Sequence, residues 1–118
     1  MEVNNRKFFN KEETLGRFGN DEELLKELAT MFVKESCFSK EEFETLLQNE
    51  DKSLSASYVH KLKGSSGTLG CELLYDSCVK VESILKGKTE GELQQEAEIL
   101  YRIYDETVDI FGEWLGFL

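Results

Sequence analysis

Hydrophobic residues recur every three or four positions along most of this chain, which is the period of an amphipathic α-helix. The pattern is clearest over residues 24–35, 72–86 and 93–111. Proline is absent, so no residue of the chain forces a break inside a helix. The pattern therefore predicts an all-α fold.

Start and stop signals divide this pattern into five main helices. Polar residues that favour N-caps precede the apolar runs, and the predicted starts are Asn20, Ser39, Asp51 or Ser53, about Glu72, and the segment 89–92. Gly70 and Gly87 are predicted to end the third and fourth helices, because glycine readily adopts the left-handed conformation that follows a helix. Residues 1–18 are expected to form a short helix or arm across the bundle.

The second helix is expected to carry Phe43, Leu46 and Leu47 inward, and the fourth to bury Leu74, Cys78, Val81 and Leu85. The first helix is expected to run through Leu24, Leu25, Leu28, Met31, Phe32 and Glu35, and the apolar positions of the last include Leu93, Ala97, Leu100, Ile103, Tyr104, Val108 and Phe111.

The predicted connections are short, so sequential helices should pack antiparallel. We therefore predict an antiparallel up-down four-helix bundle with an additional N-terminal helix or arm. A length of 118 residues suits a single domain over 1–118, with the arm at about 1–18 and the bundle at about 19–115. The apolar tail 110–118 is expected to finish the last helix and pack on the arm, or alternatively to contact a partner or a neighbouring domain.

The only histidine of the chain, His60, lies in the third predicted helix. At 100° per residue, Leu62, Ser66 and Leu69 share one side. The opposite stripe consists of Ser53, Ala56, His60, Lys63, Gly64 and Gly67. Each of the two glycines costs roughly 1 kcal/mol relative to alanine inside a helix, so their presence requires a reason. The close approach of another surface to the imidazole is such a reason.

The run H-x-L-K-G-S-S-x-x-L-G from His60 to Gly70 resembles the signature of histidine-containing phosphotransfer (HPt) domains. The similarity continues upstream through residues 17–25 and downstream through the spacing of Leu74, Cys78 and Glu82, and it spans roughly residues 17–110. The resemblance implies a monomeric phosphorelay carrier that accepts a phosphoryl group on His60 from a receiver-domain aspartyl phosphate and passes it to another receiver. Its partners would be response-regulator receiver domains or a hybrid histidine kinase.

Three residues are candidates for the chemistry. The resemblance implies that Nε2 of His60 is the attacking atom. Lys63, one turn away, is placed to pair with the phosphoryl oxygens, unless it is only a solvated lysine. Counted from a turn at Gly70 at ~1.5 Å per residue, His60 and Glu82 lie about 15 and 18 Å from the turn and are therefore level. The resemblance implies that Glu82 accepts a hydrogen bond from the Nδ1 side of the ring; alternatively it pairs with lysines of its own helix or with solvent.

Four residues are candidates for partner docking, namely Ala56, Lys61, Gly64 and Gly67. Gly64 and Gly67 leave space one and two turns from His60, where a flat surface could close over the ring. Ser65 and Ser66 lie toward the inner side of the helix, where a hydroxyl bonds the carbonyl four residues earlier, so we interpret them as structural.

The formal net charge is −10, which argues against nucleic acid as a partner. The charge is unevenly distributed, because residues 52–88 contain six lysines and three acids while the remainder contains eight basic and twenty-one acidic residues. A basic zone around the histidine suits an anionic group or an acidic docking surface, although surface lysines are commonly only solvated.

No cofactor is expected in this chain. Neither a P-loop nor a kinase glycine loop occurs in it, so it should receive phosphate rather than take it from a nucleotide. The Mg²⁺ of the reaction would belong to the receiver partner. The cysteines Cys37, Cys71 and Cys78 lack metal-site spacing and are interpreted as small buried or partly buried hydrophobic residues. No apolar run is long enough to span a membrane and no signal peptide is evident, so a soluble cytoplasmic protein without membrane contact is expected.

Three other functions remain open. The first is the phosphotransfer domain of a chemotaxis-type histidine kinase, since the run from Gly67 to Gly70 also resembles that subgroup. The second is a helical adaptor that is never phosphorylated. The third, a hydrolase acting on receivers, has little support, because no convergent acid and base pair is visible in the sequence.

Overall fold

The computed structural model describes residues 5–35 and 38–117, which form six α-helices and no strand. The helices are α1 (Lys11–Arg17), α2 (Glu22–Lys34), α3 (Lys40–Leu47), α4 (Lys52–Thr68), α5 (Glu72–Leu85) and α6 (Leu93–Leu115). The all-α prediction is confirmed.

Polar side chains cap the first four helices by accepting a backbone N–H of the first turn, and they belong to Asn10, Asp21, Ser39 and Asp51. The predicted cap at Asn20 is wrong by one residue. Asn20 has a left-handed backbone with φ +62°, which an N-cap residue does not adopt, and Asp21 bonds the amide of Leu24 instead. The N-cap residue of α6 is Glu92, whose side chain makes no capping hydrogen bond. The segment 89–92 therefore predicted where α6 begins but not how its first turn is capped.

The predicted helix ends at glycine are confirmed. Gly70 follows α4 with φ +72°, and Gly87 follows α5 with φ +71°. Both angles lie in the left-handed region, where a side chain is strained. Gly70 has a further constraint, since an added Cβ would lie 1.9 Å from Oγ1 of Thr14.

The four-helix bundle consists of α2, α4, α5 and α6, in which α4 packs on α5, α5 on α6, and α2 on α6. Here the chain departs from the predicted packing of sequential neighbours. At eight residues α3 is too short to span the bundle, and it packs on α4 by placing Phe43 against Tyr58. Phe32 of α2 meets Tyr104 and Phe111 of α6. The prediction of a four-helix bundle with an additional N-terminal helix is confirmed.

The core contains most of the predicted inward positions, and its largest fully buried members are Phe43, Phe111, Leu25, Leu62, Leu74 and Leu100. Two apolar residues of α2 lie at the surface instead, since Leu24 is 38% exposed and Met31 is 52% exposed. Cys71 and Cys78 are buried, as expected of small hydrophobic residues, whereas Cys37 lies outside the described residues. Burial raises the pKa of the Cys71 thiol to about 12.

The N-terminal arm is fastened to the turn between α4 and α5. The amide of Asn10 donates to the carbonyl of Gly70 at 2.8 Å, and the amide of Leu73 donates to the carbonyl of Lys7 at 3.0 Å. Phe9 contacts Phe111 and Trp114, with ring centroids 4.8 and 5.2 Å away. Over residues 110–117 the expectation that the tail finishes the last helix and packs on the arm is therefore confirmed.

Among the described residues, no helix is long and apolar enough to cross a membrane. The domain limits of 1–118, with an arm at about 1–18 and a bundle at about 19–115, stay a prediction.

Candidate functional site

His60 lies on the outer face of α4, and 62% of its side chain is exposed. The inner face of the same helix buries Val59, Leu62 and Ser66. The Nδ1 atom of the ring lies 2.9 Å from Oε2 of Glu82 on α5. The other ring nitrogen, Nε2, has no hydrogen-bond partner among the described residues. The ring is thus fixed at one nitrogen and open at the other.

Glu82 is almost entirely buried, with 6% of its side chain exposed. Burial alone would raise the pKa of this carboxyl, but hydrogen bonds from Lys63, Lys86 and His60 outweigh it and lower the pKa to about 2. The carboxylate is therefore ionised at neutral pH and can only accept hydrogen bonds. It follows that Nδ1 of His60 carries a proton and that, in the neutral ring, Nε2 has the free electron pair.

Lys63 lies close to the ring, but its ammonium is bound to Glu82. Its Nζ is 2.7 Å from Oε1, and this contact raises the pKa of Lys63. The sequence placed Lys63 beside the phosphoryl oxygens and left Glu82 to pair with lysines only as an alternative. In the structure, Glu82 pairs with the histidine and with lysines at once.

Lys86 is a site residue to which the sequence reasoning gave no role of its own at the site. Its Nζ is 2.8 Å from Oε2 of Glu82, the same oxygen that accepts from His60, and 43% of its side chain is exposed. Because both nitrogens contact one oxygen, Nζ of Lys86 and Nδ1 of His60 cannot be more than 5.7 Å apart. The i,i+4 spacing from Glu82 to Lys86 was the available signal.

The short turn between α4 and α5 makes His60 and Glu82 level. Only Leu69, Gly70 and Cys71 separate the helices, so the chain reverses at once. Near the turn the ring of Tyr75 lies beside Gly67, and farther along Glu82 lies beside His60. This antiparallel register agrees with the levels counted from the sequence.

The four predicted docking residues differ in their exposure. A Cβ added at Gly64 would meet nothing within 4 Å, so the space beside it is open, and Lys61 is exposed without an ion pair among the described residues. Ala56 is only 4% exposed, because it faces α5, and it therefore offers little surface to a partner. At Gly67 the ring of Tyr75 would lie 3.4 Å from an added Cβ, so the space there is partly filled.

Two grooves run along α4, and the first of them includes His60. One, of about 440 Å³, lies between α4 and α5 and contains His60, Lys52, Ser57, Glu82 and Lys86 in its wall. The other, of about 350 Å³, lies between α2 and α4 and is lined by Leu28, Met31, Phe32, Glu35, Ser65, Thr68 and Leu69. The second groove was not predicted from the sequence, because periodicity alone does not show which apolar residues of α2 stay at the surface. The apolar residues Leu28 and Met31 in its wall were the available signal.

The basic zone is mostly structural, since four of its six lysines are engaged. Lys63 and Lys86 bind Glu82, while Lys80 pairs with Glu96 at 3.3 Å. Nζ of Lys52 donates to the carbonyl of Leu47 at the end of α3. Within the described ranges, no group of three or more histidine, cysteine or acidic side chains could hold a metal ion.

The site can present a nucleophilic imidazole and stabilise its charged form. When Nε2 forms a bond to an electrophile, positive charge spreads over the ring to Nδ1, where the Glu82 carboxylate compensates it. Lys63 and Lys86 hold that carboxylate in place.

Comparison with known proteins agrees with this geometry. The family model described as Hpt domain matches residues 27–110, which is 84 of the 118 residues and includes His60, Lys63, Glu82 and Lys86. Neither the curated proteins nor the solved structures give a significant match. The family model covers well over half of the chain and contains the whole site, so the chain belongs to the Hpt domain family, the histidine phosphotransfer domains of phosphorelays.

Proposed function

We propose that this chain is a phosphorelay carrier that accepts a phosphoryl group on Nε2 of His60 from the aspartyl phosphate of one receiver domain and delivers it to the aspartate of another. The observation that carries the proposal is the pair of ring nitrogens, one bonded to the buried carboxylate of Glu82 and the other open on an exposed face. Domains of this family act as carriers and have no ATP site of their own.

In the transfer step the electron pair of Nε2 attacks phosphorus, and the bond between phosphorus and the aspartate oxygen breaks. The electron pair of that bond stays on the oxygen, which regenerates the aspartate carboxylate. The reverse sequence returns the phosphoryl group to a second aspartate. His60 must therefore act as a nucleophile when it accepts the phosphoryl group and as a leaving group when it donates it. The Glu82 carboxylate serves both steps, because it accepts the Nδ1 proton of the neutral ring and compensates the positive charge of the phosphorylated ring.

The surroundings of His60 supply the remaining needs of the reaction. The open space beside Gly64 admits a receiver surface to in-line distance. Lys63 and Lys86, which bind Glu82, add positive charge on the side of the ring that faces this carboxylate, and this charge favours an anionic group on His60. Mg²⁺ would come with the receiver, whose carboxylates are suitable ligands for it, so this chain would require no cofactor. We place this activity in the cytoplasm and in a monomer.

Incubation with phosphorylated receivers tests the proposal. Receiver domains labelled with ³²P should transfer the label to this chain, and the product should be labile in acid and stable in base. A chain that docks receivers without gaining label would be an adaptor, and label gained only from an ATP-binding kinase domain would indicate the chemotaxis-type arrangement.

The role of Glu82 is tested separately by ¹⁵N NMR of the His60 ring. In the wild-type chain the neutral ring should carry its proton on Nδ1. Glu82→Ala should redistribute the proton between the two nitrogens and slow transfer by roughly tenfold or less, since one charged hydrogen bond contributes ~1.5–3 kcal/mol and water replaces part of it. An unchanged tautomer ratio would remove Glu82 from the mechanism.

A further inference from the structure

Near the C-terminal end of α4, side chains from α1 and α5 form part of the surface. The ring of Tyr75, on α5, lies beside Gly67, and 37% of this residue is exposed. Arg17, at the end of α1, places Nη2 3.4 Å from the carbonyl oxygen of Gly67. Both side chains therefore lie on this part of α4, next to Gly67.

Arg17 is an exposed cation. Among the described residues its guanidinium donates to the carbonyl of Gly67 and to the hydroxyl of Thr14, each at 3.4 Å, and forms no ion pair. Arg6 of the same arm differs, because it makes two bonds to Asp76. The charge of Arg17 is therefore available to an acidic group of a partner.

Arg17 and Tyr75 lie within the area that a docked receiver must cover. Gly67 is seven residues from His60, or about 10 Å along α4. A specific interface covers ~800 Å² on each partner, which as a disc has a radius of about 16 Å. An interface centred on His60 therefore reaches both side chains. Arginine and tyrosine are also among the residue types that dominate binding energy at interfaces.

We infer that Arg17 and Tyr75 are specificity-determining contacts for the receiver, with Tyr75 packing on an apolar patch of that domain and Arg17 pairing with an acidic residue at its edge. This inference rests on the proposed function. It assigns to the N-terminal arm a part in choosing the partner, whereas the chemistry stays with the residues around His60. In the described part of the chain no hydrogen bond or ion pair joins either residue to His60 or Glu82, so their loss should weaken docking and leave the reactivity of the ring intact.

The test compares two phosphoryl donors. One is a panel of purified receiver domains phosphorylated with acetyl phosphate and then freed of it, and the other is phosphoramidate, a small donor that needs no docking. The variants are Arg17→Gln, Tyr75→Ala and the double variant. Arg102→Gln and Phe117→Ala are the matched controls, because these residues are exposed on or beyond α6. Circular dichroism melting checks that each variant is folded.

We expect the double variant to raise KM for its best receiver at least tenfold and each single variant about threefold to fivefold, while the rate with phosphoramidate stays within about twofold of wild type. The effect of Arg17→Gln should shrink at high salt, because an exposed ion pair is screened. Receiver kinetics equal to those of the control variants would overturn the inference, and so would an equal loss with both donors. Failure of the wild-type chain to gain label from either donor would instead overturn the proposed function.

If Tyr75→Ala is poorly folded, the same docking measurements are made on Tyr75→Phe and Arg17→Glu instead. Tyr75→Phe keeps the ring and should dock like wild type. Arg17→Glu should weaken docking more than Arg17→Gln does, because it places a negative charge against the acidic group. Equal docking by the two Arg17 variants would show that this charge contacts no partner.

Discussion

The Nδ1 atom of His60 lies 2.9 Å from Oε2 of Glu82, although the two residues are 22 positions apart and belong to different helices. The contact joins the most exposed member of the site to its most buried one, with side-chain exposures of 62% and 6%. Because the acceptor is buried and the donor is not, the position of the imidazole is set from inside the bundle while its reactive edge faces solvent.

The first prediction concerns stability in acid. The folded-state pKa of Glu82 is lowered from 4.5 to about 2, so its contribution to stability is present above pH 4.5 and is lost as the pH falls toward 2. At 1.36 kcal/mol per pKa unit this contribution is about 3 kcal/mol. In urea titrations at a series of pH values, Glu82→Gln should lower the free energy of unfolding by that order at pH 7, and the difference should vanish near pH 2.

An exposed acid provides the control for this experiment. Glu113→Gln should change the free energy of unfolding by less than about 0.5 kcal/mol at every pH. A difference between wild type and Glu82→Gln that stays constant from pH 7 to pH 2 would contradict the ionised, hydrogen-bonded state of Glu82.

The second prediction distinguishes the lysines. Lys63→Ala and Lys86→Ala should each slow phosphorylation of His60 and change the lifetime of the phosphohistidine, because each removes a cation beside Glu82 and the ring. Lys80→Ala is the matched control, since it removes a lysine of α5 that pairs with Glu96 instead. Transfer assays and the decay of purified phosphoprotein measure both effects. Equal transfer rates and phosphohistidine lifetimes in all three variants would show that Lys63 and Lys86 act only through the net charge of the protein.

The third prediction concerns the space beside the ring. Gly64→Gln should leave the melting temperature unchanged or slightly raised, because a residue with a side chain is favoured over glycine inside a helix by up to ~1 kcal/mol and no atom lies within 4 Å of the added Cβ. Transfer from a phosphorylated receiver should nevertheless fall steeply. Thermal melting and the transfer rate are measured on the same sample of Gly64→Gln. A transfer rate equal to that of wild type would show that the receiver docks on another face.

The fourth prediction compares two glycines with the same backbone conformation. Gly70 and Gly87 have φ of +72° and +71°, but an added methyl group meets Thr14 at Gly70 and open space at Gly87. Gly87→Ala should cost ~1 to 2 kcal/mol, the penalty for a left-handed alanine. Gly70→Ala should cost about 2 kcal/mol more in chemical unfolding, because the arm must also move. Equal losses would show that the arm is not fastened at this turn.

The sequence predicted the positions of the helices better than it predicted which helices pack against each other. Periodicity and caps are local properties, so the helices and the ends at Gly70 and Gly87 could be predicted. The packing of α2 on α6 depends on the shortness of α3, which periodicity alone does not determine. The exposure of Met31 could not be predicted either, because an apolar residue at the edge of a helix face looks the same in the sequence whether or not a neighbouring helix covers it.

The site shows the same division. His60 and its level with Glu82 follow from a helical rise and a turn at Gly70, both of which are local. The pairing of Glu82 with Lys86 had a local signal in their i,i+4 spacing, whereas the simultaneous binding of Lys63 from α4 depends on how the two helices pack. The position of Tyr75 over Gly67 likewise depends on how two helices meet.

The fifth prediction is that His60 carries the phosphoryl group. The measurement is acid-labile ³²P incorporated from a phosphorylated receiver into wild type and into His60→Gln, with circular dichroism melting of both. His60 is the only histidine and most of its side chain is exposed, so His60→Gln should abolish the label while the melting curve stays nearly the same. Acid-labile label retained in folded His60→Gln would contradict the account.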